Sequence, residues 1–230
     1  MNTICKFADI DIHLLYYLDI KTVIRLTIIS KDQYILMMNY DFVKESCILV
    51  QYRGGKNIID NAAYFGYVSI IKWMSESTNE FKYAANAINW AAEEGYIEVL
   101  EWFANSKYEF KYNVYAIDRA AKNGRIDVLD WFDKSGYEFK YSRFAIDSAA
   151  ENGYINVLDW FDKSKYEFNY TTSAIITAAE KRRIEVLEWF DKSEYEFKYS
   201  DWIKEYAKHK GHMEVYEWFE KYELRIGGKV

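Results

Sequence analysis

Proline is absent from the sequence, and cysteine and histidine are nearly so, with two and three residues among 230. Two thiols as far apart as Cys5 and Cys47 are expected to be reduced rather than bridged. No stretch approaches the roughly 18 uncharged apolar residues that a membrane-spanning helix needs. The first residues also lack the basic region and apolar run of a secretory signal. The sequence therefore predicts a cytoplasmic protein that does not contact a membrane.

Motifs for catalysis and metal binding are also missing. There is no Gly-x-Ser-x-Gly elbow, no phosphate-binding glycine loop and no Cys-x-x-Cys pair. His209 and His212 are spaced i, i+3, but a metal needs more ligands than this pair supplies, and no cysteine lies near them in sequence. We therefore predict that the chain is not an enzyme and holds no metal or cofactor.

The charged residues argue against a nucleic-acid partner. The formal net charge is -6, and lysine and arginine are dispersed among aspartate and glutamate. Binding to phosphates requires a basic stripe, which this distribution lacks.

A 29-residue repeat fills the chain from about residue 57 to residue 222. One register holds Trp73, Trp102, Trp131, Trp160, Trp189 and Trp218. A second register holds Ala62, Ala91, Ala120, Ala149, Ala178 and Ala207, and four residues after each alanine come Gly66, Gly95, Gly124, Gly153, Arg182 and Gly211. Self-similarity at such a period indicates six stacked copies of one structural unit.

Each copy is predicted to form two helices that are separated at the glycine. In the copy from Ser142 to Tyr170, the apolar face of the first helix would consist of Ala145, Ile146, Ala149 and Ala150. Helix N-caps are expected at the equivalent residues Asn113, Ser142, Thr171 and Ser200. The glycine fits a left-handed C-terminal cap.

The second helix would contribute Ile155, Val157, Leu158, Trp160 and Phe161. We interpret the tryptophans, which recur in one register, as core residues. Acid and lysine residues at i, i+4, such as Asp159 and Lys163, indicate a solvated outer face. The following Tyr-Glu-Phe-Lys-Tyr segment alternates aromatic and charged residues, and its sequence is compatible with a short strand or with a packed loop.

The segment AIDSAAENGYINVLDWF resembles the helical core of an ankyrin repeat. Ala145-Ile146-Asp147 takes the place of the usual Thr-Pro-Leu-His, and Gly153-Tyr154 that of Gly-His. The copies are shorter than the usual 33 residues and contain no proline. They are similar in this to the ankyrin repeats of large DNA viruses, which would place the protein in the host cytoplasm. The resemblance implies an all-α, ankyrin-like helix-turn-helix solenoid over residues 57–230.

Residues 1–56 do not follow the repeat. Tyr17-Leu18-Asp19, Ile24-Arg25-Leu26 and Ile29-Ser30-Lys31 resemble an F-box, the helical segment that docks on a Skp1-like adaptor of ubiquitin ligases. The resemblance implies adaptor contacts from Leu15, Leu18, Ile24, Leu26 and Ile29. These helices could equally serve only to cap the first repeat, and both interpretations stay open.

Positions at which the copies disagree are the candidates for partner binding, because they share no packing duty. One such register contains Tyr115, Phe144, Ser173 and Trp202, and another contains Trp90, Arg119, Ser148 and Thr177. From these registers and their neighbours we select as partner-binding residues Trp90, Tyr115, Arg119, Arg143, Phe144 and Trp202. The sequence thus predicts a protein-protein interaction module, acting either as a substrate adaptor for an SCF-type ubiquitin ligase or as a scaffold with no link to ubiquitin.

Overall fold

A computed structural model describes residues 58–77 and 81–227. These residues form twelve helices and no strand: α1 (Ile58–Tyr64), α2 (Val68–Ser77), α3 (Ala85–Glu94), α4 (Ile97–Asn105), α5 (Val114–Lys122), α6 (Ile126–Lys134), α7 (Arg143–Asn152), α8 (Ile155–Lys163), α9 (Thr172–Glu180), α10 (Ile184–Lys192), α11 (Trp202–Lys210) and α12 (Met213–Gly227). The all-α prediction is confirmed over these ranges. Among them, no helix has the length and apolar character to span a lipid bilayer.

The chain divides into two compact units. In its described part, the first unit contains α1, α2, α3 up to Ala91, and residues 98–111 with most of α4. The second unit contains residues 92–97 and the chain from Tyr112 onward, with helices α5 to α12.

Helix packing in the second unit is repetitive. The first helices of the four pairs, α5, α7, α9 and α11, pack side by side in chain order, and we call them the first-helix row. The second helices, α6, α8, α10 and α12, do the same and form the second-helix row. Each first helix also packs against the second helix of its own pair. The predicted repetition of helix pairs is therefore present in this unit.

Three of the four predicted N-caps are confirmed. The side chains of Asn113, Ser142 and Thr171 each accept a hydrogen bond from the backbone N–H two residues on. The prediction for Ser200 is wrong, because α11 begins one residue late and Asp201 precedes it in a helical conformation without a side-chain cap. The Ser200 carbonyl instead accepts a hydrogen bond from the Ile203 N–H at 3.0 Å.

The predicted left-handed cap is present at the glycine positions. Gly153, for example, has φ 81°, and its N–H donates to the Ala150 carbonyl at 3.1 Å. Glycine at Gly124 is also required by space, because a Cβ there would lie 2.8 Å from the Tyr154 ring. Arg182 takes the same conformation with φ 60°, although it has a side chain.

The deepest aromatic residues are phenylalanines rather than the tryptophans. Phe103, Phe132, Phe161, Phe190 and Phe219 are at most 1% exposed. The tryptophans that precede them, from Trp102 to Trp218, are only half-buried. The tryptophans were predicted to be core residues, and this prediction is wrong, because the buried phenylalanines form the core and the tryptophans lie at its edge. The rings of each adjacent Trp-Phe pair lie edge to face, so the tryptophan covers the phenylalanine from the solvent side.

The Tyr-Glu-Phe-Lys-Tyr segments are packed loops, since no strand is present among the described residues. Phe139 stacks on Tyr166 and Trp160 of the following copy, with ring centroids 4.0 and 5.4 Å apart. The Tyr141 hydroxyl donates to the Glu167 carbonyl at 2.6 Å. Phe168 repeats this stacking on Tyr195 and Trp189. We call these cross-copy contacts the aromatic ladder, and they connect each loop to the next copy.

The last helix pair replaces the apolar residues that its neighbours bury. Ile175, Ala179 and Leu187 are at most 1% exposed, and the same registers of the last pair hold Lys204, Lys208 and Tyr216. Both ammonium groups lie over the Tyr216 ring, at 5.7 and 5.2 Å from its centroid. Lys204 also forms ion pairs with Glu220 and Glu223. The outer face of this pair, which we call the end face, is therefore polar, unlike the apolar faces that the preceding pairs bury.

Candidate partner-binding surface

Three aromatic side chains are exposed in one register of the first-helix row. Tyr115 is 51% exposed, and Phe144 and Trp202 are each 48% exposed. The backbone N–H groups of Tyr115 and Phe144 donate to the cap residues Asn113 and Ser142, at 3.0 and 3.2 Å. The caps thus fix the start of each helix while the ring remains accessible. We call Tyr115, Phe144 and Trp202 the exposed aromatic row.

Two of the predicted residues are in contact with each other. The Arg119 guanidinium lies 5.2 Å from the centroid of the Tyr115 ring. Its Nη1 also donates to the Glu93 carboxylate at 2.8 Å. Arg119 therefore supports the Tyr115 ring, and Glu93 balances its charge.

The other predicted positions differ in exposure. Arg143 is exposed beside Phe144, and Trp202 packs edge to face against Tyr206 at 5.7 Å. Trp90 belongs to the first unit, where it is half-buried and its ring lies 5.8 Å from that of Tyr64.

The expectation that the second register faces a partner is wrong for Ser148, which is 1% exposed. Its Oγ is buried and has no hydrogen-bond partner among the described residues. Thr177, in the same register, donates its hydroxyl to the Ser173 carbonyl at 2.6 Å. Of this register only Ser148 is buried, and Trp90, Arg119 and Thr177 are half-buried.

Carboxylates beneath the exposed aromatic row hold successive first helices in register. Asp118 accepts hydrogen bonds from the Ser142 N–H at 2.8 Å and the Ser142 hydroxyl at 2.6 Å. Asp147 accepts the equivalent pair from Thr171 at 2.8 and 2.7 Å. Burial raises the pKa of the Asp118 carboxyl, although the hydrogen bonds from Ser142 oppose the shift. Neither aspartate was among the predicted site residues, and the only sequence signal for them is an aspartate 24 positions before a capping residue.

Charge is divided between the two helix rows. The first helices with the turns that follow them, residues 114–125, 143–154, 172–183 and 202–212, contain ten basic and five acidic residues. The second helices α6, α8, α10 and α12 contain twelve acidic and five basic residues. The exposed aromatic row therefore lies on the basic side of the unit. This division is not visible in the net charge of the chain.

A shallow groove on the second-helix row is lined by Ile155, Asp162, Glu185, Glu188, Trp189, Lys192, Ser193, Glu194 and Tyr195. Its polar groups serve contacts between neighbouring copies. Trp189 Nε1 donates to Asp159 at 2.7 Å, and the Tyr195 hydroxyl donates to Asp162 at 3.0 Å. Burial, followed by the hydrogen bond to Asp162, raises the pKa of Tyr195 to about 12. These contacts describe a structural surface rather than a reactive one.

The predicted adaptor contacts Leu15, Leu18, Ile24, Leu26 and Ile29 lie outside the described residues. Within residues 58–77 and 81–227, no group of three or more histidine, cysteine, aspartate or glutamate side chains is placed to hold a metal ion.

The class that the fold defines is an all-α protein with repeated helical packing. No protein-family model matches the chain, and no curated protein is similar enough to it to count as a relative.

Proposed function

We propose that this chain is an ankyrin-like protein-protein interaction module of six repeats, which binds a polypeptide partner through the first-helix row of its second unit. The observation that carries the proposal is the exposed aromatic row. Large aromatic side chains are enriched among the residues that dominate protein interfaces. Three of them in one register, each about half exposed, are more than a scatter of single apolar residues.

The local structure also supports this proposal. Cap hydrogen bonds from Asn113 and Ser142 fix the starts of the helices that carry Tyr115 and Phe144, and the buried Asp118 carboxylate also binds Ser142, so little conformational entropy is lost when a partner covers these two rings. The polar groups of the second-helix row, by contrast, are engaged in contacts between copies.

The test compares the unaltered chain with the triple variant Tyr115→Ala/Phe144→Ala/Trp202→Ala. Proteins retained by each from a cell extract are quantified by mass spectrometry, and cross-linking locates the contact. Leu224→Ala is the matched control, because Leu224 is 77% exposed on the second-helix row. The proposal requires that partners be lost with the triple variant and kept with the control. Partners that persist with the triple variant, cross-linked elsewhere, would refute it.

A second proposal joins this surface to the F-box-like segment. The repeats would hold a target while that segment docks on a Skp1-like adaptor, and ubiquitin transfer would then follow from proximity without a catalytic residue in this chain. The support for this role is the pattern from Leu15 to Ile29.

The two roles are separated by co-purification with a Skp1-like adaptor. The full chain, the chain shortened to begin at Lys56, and a full-length Leu18→Asp/Ile24→Asp variant are compared. The ubiquitin role is supported if the unaltered full chain recovers the adaptor and the other two proteins do not. If none of the three recovers the adaptor, a scaffold whose N-terminal helices only cap the repeats is the function that remains.

A further inference from the structure

The first-helix row carries cations that nothing in the described structure neutralises. Lys122, Arg143 and Lys181 are exposed, and no carboxylate of the described residues lies within ion-pair distance of their charged groups. Lys122 ends α5, Arg143 begins α7 and Lys181 directly follows α9, and these three helices pack on one another in succession.

Three of the four lysines in one register of the second-helix row are ion-paired, and Lys221 is the exception among the described residues. Lys134 lies 3.7 Å from Asp130, Lys163 lies 3.9 Å from Asp159, and Lys192 lies 3.4 Å from Glu188. The difference between the rows is therefore one of pairing as well as of number.

The acidic residues near the free cations are mostly committed elsewhere. Asp118 and Asp147 accept hydrogen bonds from cap residues, and Glu93 is paired with Arg119. Four of the ten basic residues of the row are ion-paired with acids outside it, namely Arg119, Arg125, Arg182 and Lys204, which leaves six basic residues against the five acids of the row. The surface around the exposed aromatic row thus keeps a net positive charge.

We infer that the partner of the first-helix row is an acidic polypeptide segment in which carboxylates alternate with large apolar side chains. This inference rests on the proposed function and adds the chemistry of the partner. The apolar side chains of the segment pack against Tyr115, Phe144 and Trp202, and its carboxylates pair with Lys122, Arg143 and Lys181. Charge complementarity of this kind directs partner choice and the association rate.

A nucleic acid could also combine negative charge with stacking on aromatic rings, but the observations favour a peptide. The second-helix row has seven more acidic than basic residues, and the whole chain has a net charge of -6. Both repel a polyanion as strongly charged as RNA. A short peptide with a few carboxylates encounters mainly the local field of the first-helix row.

The experiment selects binders of the full chain from a displayed library of random 12-residue peptides. The composition of the enriched peptides is compared with that of the unselected library, and the aromatic triple variant Tyr115→Ala/Phe144→Ala/Trp202→Ala serves for counter-selection. We expect aspartate and glutamate to be at least twice as frequent in peptides that need the aromatic row, and lysine and arginine to be depleted.

Binding of one selected peptide is then measured by fluorescence anisotropy with two matched variants. Lys122→Glu/Arg143→Glu/Lys181→Glu reverses the three free cations, whereas Lys134→Glu/Lys163→Glu/Lys192→Glu makes the same charge change on the second-helix row. The first should weaken binding roughly tenfold or more, as the loss of three exposed ion pairs predicts, and the second by less than about twofold. Thermal melting checks that both variants fold, and the single variant Arg143→Glu replaces the first if it does not.

The outcomes separate the inference from the proposed function. Peptides that require the aromatic row but show no acidic bias, or that bind the two charge variants equally, overturn the inference and leave the proposed function standing. Enrichment that is indifferent to the aromatic row contradicts the proposed function as well. A labelled 12-residue oligouridine that binds the first-helix row when no acidic peptide does would assign the surface to RNA instead.

Discussion

At the scale of single residues, Arg182 is the position where the chain departs from its own pattern. The equivalent residues in the other described copies are glycines with φ between 69° and 85°, whereas Arg182 has a side chain at φ 60°. The left-handed conformation costs a residue with a Cβ about 1 kcal/mol. The compensating contact is an exposed ion pair between Arg182 and Glu214, which is worth little in water.

We therefore predict that Arg182→Gly stabilises the protein, by at most about 0.5 kcal/mol after the lost ion pair and the greater freedom of the unfolded chain are subtracted. Arg183→Gly is the matched control, because Arg183 has φ −85° and gains nothing from a glycine. That control should lose about 0.5 kcal/mol through the greater freedom of the unfolded chain. Urea unfolding gives both values, and a lower midpoint for Arg182→Gly than for the unaltered chain would refute the prediction.

Asp118 gives a pH-dependent prediction. Burial raises its pKa above the ordinary value of 3.8, so folding takes up a proton between that value and the pKa of the folded chain. The stability that this group contributes therefore rises as the pH falls through that window. Asp118→Asn removes the titrating carboxyl and with it this pH dependence of stability, while the amide oxygen can still accept a hydrogen bond from the Ser142 N–H.

The measurement for Asp118 is urea unfolding of both proteins at several values between about pH 4 and pH 7. The free energy of unfolding of the unaltered chain minus that of Asp118→Asn should grow as the pH is lowered. Other titrating groups occur in both proteins and cancel in this difference. A difference that stays constant or shrinks toward low pH would show that the Asp118 pKa is not raised.

At the scale of helices and loops, the two residues of each adjacent Trp-Phe pair have different structural roles. Phe132 is fully buried and lies 5.3 Å from the ring of Tyr112, whereas Trp131 is half-buried and stacks on Tyr137. The phenylalanine fills the space between helices, and the tryptophan supports the loop of its own copy.

Phe132→Ala should accordingly cost about 3–5 kcal/mol of unfolding free energy, as expected for a cavity at a buried ring. Trp131→Ala should cost roughly half as much, because part of the indole already contacts water. Urea denaturation of the two variants decides the order. An equal or larger loss for Trp131→Ala would restore the tryptophans as the main core residues.

The helices were predictable because their signals are local, and the depth of the aromatic residues was not. Caps at Asn113, Ser142 and Thr171 and glycines at the turns each act within a few residues. Trp160 and Phe161 are neighbours in sequence, and which of them is deeper depends on the loop of the preceding copy, where Phe139 stacks on Trp160.

The candidate surface was predicted in part, from disagreement between copies. That signal identified Tyr115, Phe144 and Trp202, which are exposed, but it also selected the register of Ser148, which is buried. A position can vary because it needs only a small side chain, without facing solvent. Of the free cations, Arg143 was predicted and Lys122 was missed, because Lys122 lies four residues after Asp118, a spacing that predicts an ion pair, while the carboxylate turns instead to Ser142.

At the scale of the whole molecule, the second unit distinguishes its surfaces by chemistry. The first-helix row is basic and aromatic, the second-helix row is acidic with three of its four lysines paired, and the end face is polar. Each pair between α5 and α10 buries an apolar face against the pair that follows it, which is the property that lets copies of one unit stack. An exposed apolar face on the last described pair would favour self-association, and Lys204, Lys208 and Tyr216 make that face polar.

Restoring the internal pattern at the end face should therefore make the protein associate. In Lys204→Ile/Lys208→Ala/Tyr216→Leu, the last described pair acquires the apolar residues that Ile175, Ala179 and Leu187 provide in its neighbour, and no other helix of the described residues covers them. An apolar face of this kind favours self-association. Sedimentation velocity over a range of concentrations should show a larger mass for this variant than for the unaltered chain. Glu217→Leu/Lys221→Ile adds apolar side chains on the exposed side of the same helix and should associate less. If the end-face variant keeps the mass of the unaltered chain at every concentration, the polar end face is not what prevents end-to-end stacking.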